Sequence, residues 1–344
     1  MSSLNKLNVA VIGATGYTGL DLINILSKHP KVCLLYLCAT KNIGRKMSFF
    51  DKRLSKKLPR ISAVKKINWK KLDLVFLSLP NGKAQEIIKK TFYKHRKIKY
   101  IDLSADFRLT NAKTYFKTYK KKHKAPDLIK ESLYSISEFN KEKINRFRII
   151  SNPGCYPTSI QLPLIPLIQK NLIKIKNIII DAKSGYSGAG KNFKKKFNHK
   201  NLYTSSFAYS PKNHRHIVEI QQEFLKYANK KILFNFNPHI IPTFRGILSS
   251  IYVYGTKNTN GRKITNELNK FYAKSKFVKI LKFNSLIGTG NVQNTNFCEI
   301  SICDTEMKNK YIIFSALDNL VKGAAGQAVQ NMNLLYKFKE DLGL

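Results

Sequence analysis

Three glycines at the junction of an apolar stretch and an amphipathic stretch constrain this chain more than any other feature. Gly13, Gly16 and Gly19 lie in the segment GATGYTG, between apolar residues 7–13 and a helix-like pattern at residues 17–28. Glycines at this spacing let the backbone turn tightly and approach a pyrophosphate at a helix N-terminus. The segment therefore predicts a strand–loop–helix unit that binds a dinucleotide.

The rest of the N-terminal half continues the alternation of strands and helices. Residues 32–39 and 73–79 are nearly all apolar, as strands buried on both faces are. Residues 84–92 form a helical pattern, and residues 99–103 are expected to form a further strand. This order predicts a doubly wound parallel sheet, in other words a Rossmann-type domain. The last helix is expected at residues 317–336, with a stripe of small residues that packs back onto this domain.

The pattern changes after Cys155. Residues 176–182, 247–254 and 297–303 alternate between apolar and polar, which is typical of a half-exposed, mostly antiparallel sheet. The fold class predicted is α/β, with an N-terminal dinucleotide-binding domain and an α+β catalytic domain. The expected division is residues 1–154, joined by a C-terminal helix at 317–344, and residues 155–316 as the catalytic and dimerisation domain.

Composition narrows the class of protein. The 344 residues include 43% hydrophobic ones, yet no apolar run is long enough to span a bilayer, and the N-terminus lacks a signal-peptide pattern. The five cysteines form no CxxC pair, and their odd number argues against a complete disulfide framework. These features predict a cytoplasmic protein with no membrane partner.

The net charge of +42 raises the alternative of a basic binding protein. The lysines recur in almost every segment, however, and do not form a focused stripe. The runs at residues 120–122 and 194–196 are interpreted as solvated faces. We therefore expect weak, salt-sensitive attraction to polyanions and no specific nucleic-acid partner.

Cys155 occupies an unusual position in the segment SNPGCYPT, at residues 151–158. A short apolar strand precedes it, a glycine turn leads into it, and a mostly apolar helix follows. A thiol at such a corner lies over the positive end of the helix dipole, which stabilises its thiolate. Cys155 is therefore the predicted nucleophile, whereas Cys33, Cys38, Cys298 and Cys303 read as small core residues.

The end of the second strand indicates which dinucleotide binds. An NAD-preferring fold usually places Asp or Glu there to hold the ribose hydroxyls. This chain has Thr40 and Lys41, followed by Arg45, so cations replace the carboxylate and NADP(H) is favoured. The alternative is that both cations belong to the general basic surface. Within the glycine loop, Thr15, Tyr17 and Thr18 complete the predicted cofactor contacts.

Three further segments carry chemistry. His216 begins a helical pattern in HRHIVEI, at residues 214–220, with Glu219 three residues later on the same face, so that the carboxylate can orient an acid–base imidazole. Arg108 follows the strand at residues 99–103 and is placed to clamp a phosphate or a carboxylate, the alternative being a surface pair with Asp106. A glycine-rich loop spans residues 183–191. No metal site is predicted.

Together these segments resemble the N-acetyl-γ-glutamyl-phosphate reductase family over nearly the whole chain. The resemblance rests on several strings, listed here with their positions: GATGYTG (13–19), DLSADFRL (102–109), HKAP (123–126), SNPGCYPT (151–158), KSGYSGAGK (183–191), HRHIVEI (214–220), PHIIPTFRGIL (238–248) and DNLVKGAAGQAVQNMN (318–333). The aspartate-semialdehyde dehydrogenases share the architecture but resemble these strings less.

The resemblance implies an NADPH-dependent reductive dephosphorylation of an acyl phosphate in arginine biosynthesis. Cys155 would form a thioester, with His216 as acid and base, oriented by Glu219. It also implies further ligands: Arg108 for the phosphate; Arg215 and Arg245 for the substrate carboxylate; Asn152, Lys183 and His214 elsewhere around the substrate; and Ser187, Gly188 and Asn319 near the nicotinamide.

Two alternatives stay open at this point. One is a reductase for a related acyl phosphate, of the aminoadipyl or aspartyl type. The other is a catalytically silent basic binding protein that keeps the fold. In either enzyme reading, the chain is expected to form a homo-oligomer, a dimer or a tetramer.

Overall fold

The computed structural model describes residues 6–191, 193, 197, 200–257 and 259–344. The lysine run at 194–196, interpreted above as a solvated face, lies outside the described residues. The chain divides into two compact units, of which the first comprises Met1–Pro153 with Ala324–Leu344 and the second comprises Gly154–Gly323. The sequence-based division had the C-terminal segment leave the second domain at residue 317, seven residues earlier than in these units.

The first unit is built on a parallel sheet. Its described strands are β1 (Leu7–Ile12), β2 (Val32–Cys38), β3 (Ile61–Ser62), β4 (Leu74–Leu77), β5 (Lys99–Asp102), β6 (Ser132–Tyr134) and β7 (Ile149–Ser151). They are ordered β3-β2-β1-β4-β5-β7-β6, and every pairing is parallel. The order runs outward in both directions from β1, as in a doubly wound dinucleotide-binding sheet. The predicted N-terminal fold class is confirmed.

Helices cover this sheet because their apolar faces need burial. The described α-helices of the unit are α1 (Tyr17–Lys28), α2 (Lys83–Thr91), α3 (Ala112–Tyr119), α4 (Ser137–Asn140) and, in the C-terminal segment, α8 (Gly326–Leu335). On one side, α8 packs against α1, and Val329 and Met332 join Leu22 and Phe76 in one core. The C-terminal segment is therefore part of the first unit's core.

The C-terminal helix begins later than the sequence pattern suggests. Residues 310–317 are the strand β14 (Lys310–Leu317), because Leu317 pairs with Ile247 on one side and Cys298 on the other. A five-residue π-helix, Val321–Ala325, follows before α8 starts. The apolar residues that suggest the first turn of a helix are therefore the end of strand β14.

The second unit contains a mixed sheet. Its described strands are β8 (Ile178–Gly185), β9 (Phe207–Ala208), β10 (Phe234–Ile241), β11 (Ile247–Tyr254), β12 (Val278–Ile280), β13 (Cys298–Asp304) and β14. The order is β12-β13-β14-β11-β8-β10-β9, in which only the described pairs β8–β10 and β12–β13 are parallel. The expectation of a mostly antiparallel sheet is confirmed.

Three helices in the described part of the second unit cover one face of this sheet: α5 (Cys155–Gln169), α6 (His216–Ala228) and α7 (Gly261–Tyr272). Helix α5 is central, since it packs against α6, α7 and strands β11 and β14. Its residues from Tyr156 to Ile168 are all buried, as expected for a helix that is apolar on every side. This burial gives the residue at its N-terminus a rigid support. Among the described residues, none of the helices has the length and apolarity needed to cross a membrane.

Candidate active site

The predicted nucleophile lies at the first position of helix α5. Strand β7 ends at Ser151, Gly154 is the N-cap in an extended conformation (φ −70°, ψ 157°), and Cys155 begins the helix. Cys155 is partly exposed, whereas the residues around it in the helix are buried. The first N–H groups of a helix have no acceptor within the helix and carry partial positive charge. Cys155 is therefore placed where a thiolate is favoured.

A buried carboxylate fixes the turn that carries Cys155. Glu219 lies in the first turn of α6, its side chain is fully buried, and its Oε1 accepts a hydrogen bond of 2.7 Å from the Gly154 backbone N–H. This bond ties the N-terminus of α5 to the first turn of α6. The sequence placed Glu219 beside His216 through their spacing in one helix. It gave no sign of the contact with Gly154, which is 65 residues away.

His216 and His214 stand together at the start of α6. His216 is the first helical residue, and its backbone N–H donates to Nδ1 of His214 at 3.2 Å. The two rings are 4.7 Å apart between centroids, and the His216 ring lies 6.0 Å from that of Tyr156, the residue after Cys155. Burial, followed by the charge of Arg215, lowers the pKa of His214 to about 4. His214 is thus a neutral acceptor near neutral pH.

Two tyrosines that the sequence analysis missed also belong to this region. Tyr156 is buried, and its hydroxyl donates to the carbonyl oxygen of His239 at 3.0 Å. Burial raises the pKa of Tyr156 well above its usual value and that of Tyr209 to about 12, and a Cys155 thiolate adds to both shifts. Both phenols therefore stay neutral. For Tyr156, its position directly after Cys155 in the sequence was the signal that could have indicated a place in this region.

The structure brings Ser187, Gly188 and Asn319 together, and their expected place near the nicotinamide stays a prediction. Asn319 Nδ2 donates to Ser187 Oγ at 2.9 Å, and its Oδ1 accepts from the Gly246 N–H at 2.8 Å. A Cβ at Gly188 would lie 3.1 Å from Ser184 Oγ and 3.7 Å from Asn319 Nδ2. The amide of Asn319 thus bridges the loop after β8 and the turn before β11.

Arg245 has a protein partner of its own. Its Nη1 donates to Asp318 Oδ2 at 3.0 Å, and both side chains are almost completely buried. Asp318 also accepts from the backbone N–H of Asn294 at 2.7 Å. A buried guanidinium–carboxylate pair neutralises charge that would otherwise be expensive to bury. The geometry therefore gives Arg245 a structural role that the proposed contact with a substrate carboxylate did not include.

Lys183 and Arg215 have different surroundings. Lys183 Nζ lies 3.2 Å from Asp181 Oδ1, and the same oxygen lies 3.0 Å from Nδ1 of His239. These side chains are on the sheet face opposite Ile180 and Ala182, which point into the core. Arg215 is exposed at the N-cap of α6, next to His216. Of these two cations, Arg215 is the one beside His214 and His216.

In the first unit, the glycine loop has the steric demands of a ligand-binding turn. Gly13 has φ +97°, and a Cβ there would be 2.0 Å from the Ser78 carbonyl oxygen. A Cβ at Gly19 would be 2.2 Å from the Gly13 carbonyl oxygen, whereas one at Gly16 would meet only that same oxygen, at 3.7 Å. Two glycines thus allow close backbone packing, and the third leaves the helix N-terminus uncovered by a side chain.

The first turn of α1 contains no acidic residue, and its N-cap is Gly16, which has no side chain to cover the helix end. Thr40, Lys41 and Arg45 follow β2 and are exposed, and the Arg45 guanidinium lies 4.3 Å from the centroid of the Phe49 ring. An uncapped helix N-terminus with nearby cations suits phosphate groups. The residues present therefore fit a phosphorylated dinucleotide.

Arg108 and Asp106 are both buried, so neither belongs to the surface considered above. The Asp106 carboxylate accepts from the backbone N–H groups of Gly82, Ala84 and Gln85 and so caps helix α2. Arg108 Nε donates to the carbonyl oxygen of Asn152 at 2.9 Å. These residues fix the segment just ahead of Gly154.

The side chain of Asn152 is also engaged within the first unit. Asn331 Nδ2 donates to its Oδ1 at 3.2 Å, and its own Nδ2 donates to the Ala324 carbonyl oxygen at 3.1 Å. Asn152 is 1% exposed. This differs from the expected contact with substrate, because the amide is used to hold the C-terminal segment against the end of β7.

Comparison with known proteins places the chain in a family. Residues 8–147 match the model of the semialdehyde dehydrogenase NAD-binding domain, and residues 155–319 match that of the semialdehyde dehydrogenase dimerisation domain. An N-acetyl-gamma-glutamyl-phosphate reductase of Afipia carboxidovorans is 40% identical over 98% of this chain and 97% of its own length. The chain belongs to the N-acetyl-γ-glutamyl-phosphate reductase family. The resemblance noted from its motifs is confirmed.

Other members of the reductase family match as broadly. The protein of Ehrlichia canis is 42% identical over 98% of this chain and 97% of its own length. A probable chloroplastic N-acetyl-gamma-glutamyl-phosphate reductase of Arabidopsis thaliana is 40% identical over 98% of this chain and 84% of its own length. The family consists of oxidoreductases with an NAD(P)-binding domain, so the prediction of an enzyme is confirmed.

Solved structures show the same fold at low sequence identity. Aspartate semialdehyde dehydrogenase II of Vibrio cholerae has a TM-score of 0.74 and 17% identity, covering 97% of this chain and 99% of that one. The aspartate semialdehyde dehydrogenase of Candida albicans, solved with NADP, has a TM-score of 0.67 and 14% identity, covering 96% and 99%. The expected shared architecture is confirmed.

Proposed function

We propose that this protein reduces N-acetyl-L-glutamyl 5-phosphate to N-acetyl-L-glutamate 5-semialdehyde with NADPH, in arginine biosynthesis. The observation that carries the proposal is Cys155 at the N-terminus of a buried helix, in a turn held by Glu219 and adjoined by His216. A thiolate in this setting suits covalent catalysis of acyl transfer. Membership of the reductase family supplies the substrate class.

The reaction balances around one covalent intermediate. The Cys155 thiolate attacks the acyl carbon, a C–S bond forms, and the C–O bond to phosphate breaks with its electron pair leaving on the phosphate. NADPH, when bound, supplies the hydride that reduces the thioester carbon. The resulting thiohemiacetal loses the Cys155 thiolate and releases the aldehyde. The partial positive charge at the helix N-terminus stabilises the thiolate at the first and last steps.

His216 is the proposed acid and base of this cycle. Burial lowers the pKa of its neighbour His214 to about 4, so near neutral pH His214 is a neutral imidazole and does not serve as an imidazolium acid. The bond from the His216 N–H to His214 Nδ1 fixes the start of α6, and with it the position of the His216 ring. We assign to His216 the proton given to the thiohemiacetal oxygen and taken back as the aldehyde forms.

The other predicted ligands divide into two groups. Arg215, exposed beside His216, is the proposed partner of the substrate carboxylate. Arg108, Asn152 and Arg245 act by holding the backbone around the nucleophile, since each is buried and bonded to protein groups. Lys183 and His214 stay outside direct substrate contact in this proposal. Ser187, Gly188 and Asn319 form the proposed nicotinamide side of the site.

NADP(H) is the proposed cofactor. A backbone cradle with Gly13 and Gly19 would receive the pyrophosphate, and Thr15, Tyr17 and Thr18 surround it in the loop. The exposed Thr40, Lys41 and Arg45 would receive the 2′-phosphate. The opposite charge of a phosphate and a guanidinium, and the fork geometry of Arg, favour this pairing.

A second copy of the chain is the proposed partner of the open sheet face in the second unit. Ile179 is 43% exposed there, and Tyr252, Ile312 and Phe314 on neighbouring strands are only partly buried. The matching family model is described as a dimerisation domain. We also propose a reducing compartment, the cytoplasm, because none of the described cysteines forms a disulfide and the mechanism needs Cys155 as a thiolate.

The direct test is the reverse reaction with N-acetylglutamate semialdehyde and phosphate. The reduction of NADP⁺ is followed by absorbance at about 340 nm, where a reduced nicotinamide absorbs. Turnover should require phosphate, and aspartate semialdehyde should be a much poorer substrate. A preference for aspartate semialdehyde would instead indicate that the substrate is a related acyl phosphate, of the aspartyl type. Absence of turnover with every aldehyde would favour a catalytically silent protein.

A further inference from the structure

The chain passes directly over the nucleophile a second time, at Gly323. A Cβ built on Gly323 would lie 2.7 Å from Cys155 Cβ and 3.2 Å from Cys155 Cα. Real Cβ atoms do not approach so closely, so any residue other than glycine would force one of the two segments to shift. Gly323 therefore sets how near this segment can come to Cys155.

The segment that contains Gly323 has unusual backbone geometry. The Gly323 N–H donates to the Asp318 carbonyl oxygen at 2.9 Å, a bond between residues five apart, and Val321–Ala325 form a π-helix. π-Helical turns are rare and often occur at functional sites. Here the wider turn presents a residue without a side chain to Cys155.

Asp318 anchors the start of this segment. Its Oδ1 accepts from the backbone N–H groups of Leu320 and Val321, at 2.8 and 3.2 Å. Its Oδ2 accepts from the Arg245 guanidinium and from the Asn294 N–H. Asp318 is fully buried, so these bonds are not exchanged for bonds to water. One carboxylate thus joins the π-helical segment to two other loops of the same unit.

We propose that Asp318 and Gly323 are positioning residues for the nucleophile, an inference that rests on the proposed role of Cys155. Asp318, paired with Arg245, fixes the π-helical segment, and the bare backbone of Gly323 confines the Cys155 Cβ. This confinement keeps the thiolate over the N-terminus of α5, where the helix N–H groups stabilise it. Neither residue exchanges protons or electrons with the substrate.

The test measures the thiolate itself, without substrate or cofactor. Iodoacetamide alkylates Cys155, and mass spectrometry of the peptide that contains this residue measures the extent of alkylation. The measurement is repeated between about pH 5 and pH 9, roughly two units on either side of neutrality. In Gly323→Ala the alkylation midpoint should move to higher pH, and the rate at pH 7 should fall by about threefold to tenfold, because the thiolate loses its helix-terminus stabilisation. Gly290→Ala is the matched control, since a Cβ there meets nothing within 4 Å and its residue is exposed.

Asp318→Asn provides a second test, which does not require the fold to accept a side chain at position 323. Asparagine keeps the shape and one oxygen acceptor but removes the charge that pairs with Arg245. The midpoint should shift in the same direction, with kcat lowered and the KM for phosphate unchanged. Thermal unfolding and circular dichroism identify which variants are folded. If Gly323→Ala does not fold, Asp318→Asn alone decides.

The proposal is overturned if the folded variants show the native alkylation profile, even when kcat falls. A raised KM with a native profile in Asp318→Asn would likewise overturn it, because that result assigns the pair to substrate binding. Loss of reductase activity in the unmodified protein, with the shifted profiles still present, would reject the proposed function and leave this inference standing.

Discussion

Two of the described turns that lead from a strand through glycine into a helix, the one before α1 and the one before α5, are built in different ways. At the first, between β1 and α1, the fit depends on Gly13 and Gly19, whose missing side chains let nearby backbone segments pack closely. At the second, before α5, Gly154 is fixed by the buried carboxylate of Glu219, and Gly323 packs over the nucleophile. The first corner is shaped by backbone packing alone, including that of Gly13 on Ser78, whereas the second is also held by a buried side chain from another helix.

The difference follows from what each corner holds. A pyrophosphate needs only backbone N–H groups and space, which a short glycine pattern can supply. A reactive thiolate needs a fixed position and controlled surroundings, which tertiary contacts supply. We therefore expect substitutions at the nucleophile corner to have larger effects on turnover than those near the dinucleotide corner.

The largest effect is expected for Cys155→Ser. A hydroxyl is a much weaker nucleophile than a thiolate near neutral pH, so kcat should fall by about three orders of magnitude or more. Phosphate-dependent NADP⁺ reduction measures the loss. Iodoacetamide labelling of the peptide around residue 155 should also disappear, and substrate should protect the native protein from it. Near-native turnover in the serine variant would rule out the thioester route and with it the contrast between the corners.

His214 makes the stability of the nucleophile corner depend on pH. Its pKa in the folded protein, about 4, is below the value of 6.5 expected in the unfolded chain, chiefly because of burial. On acidification the unfolded state therefore binds the proton first. The stabilisation is complete above pH 6.5 and is lost as pH falls towards 4, by on the order of 3 kcal/mol.

The His214→Asn variant isolates this contribution, since asparagine keeps an acceptor for the His216 N–H and does not titrate. Urea unfolding at pH 7 and at pH 4.5 (a point roughly at the lower end of that window) gives the two free energies of unfolding for each protein. The native protein should lose more stability between these pH values than the variant. Equal losses would mean that His214 titrates alike in the folded and unfolded states.

The same contrast explains what the sequence could predict. The strands of the parallel sheet and the helix after Gly16 follow from local periodicity and the glycine pattern. Cys155 and His216 were found because their neighbours in sequence mark helix starts. The contact of Glu219 with Gly154 and the pair of Arg245 with Asp318 join segments 65 and 73 residues apart, and no local pattern encodes them.

Other features that local patterns do not show have the same origin. The family resemblance implies that Asn152 binds substrate, and no local pattern shows that its amide bonds to Asn331, near the other end of the chain. The C-terminal helix starts later than expected because the apolar residues up to Leu317 belong to strand β14, which pairs with β11 and β13. In both cases the partner that decides the structure is distant in sequence.

Glu219 allows the contact with Gly154 to be separated from the predicted orientation of His216. If the bond to the Gly154 N–H is what matters, Glu219→Gln keeps an acceptor and should retain most of the activity. Glu219→Ala leaves that N–H without its acceptor, which costs about 1.5–3 kcal/mol, and kcat should fall roughly ten- to a hundredfold. Steady-state kinetics of both variants measure the difference. Equal losses in the two would return Glu219 to the role of a charged partner for His216.

The smallest effect is expected at the dinucleotide corner, in the choice between NADPH and NADH. Arg45 is exposed and rests on the Phe49 ring, so a 2′-phosphate can recruit it without breaking a buried contact. A lost charge-assisted contact at an exposed site is worth about 1.5 kcal/mol, so Arg45→Ala should raise the KM for NADPH about tenfold and leave that for NADH nearly unchanged. Lys6→Ala, at an exposed lysine ahead of β1, is the control for the general basic surface. An equal rise in KM for both cofactors would show that Arg45 acts through the loop and not through the phosphate, and equal use of NADH by the native enzyme would remove the preference altogether.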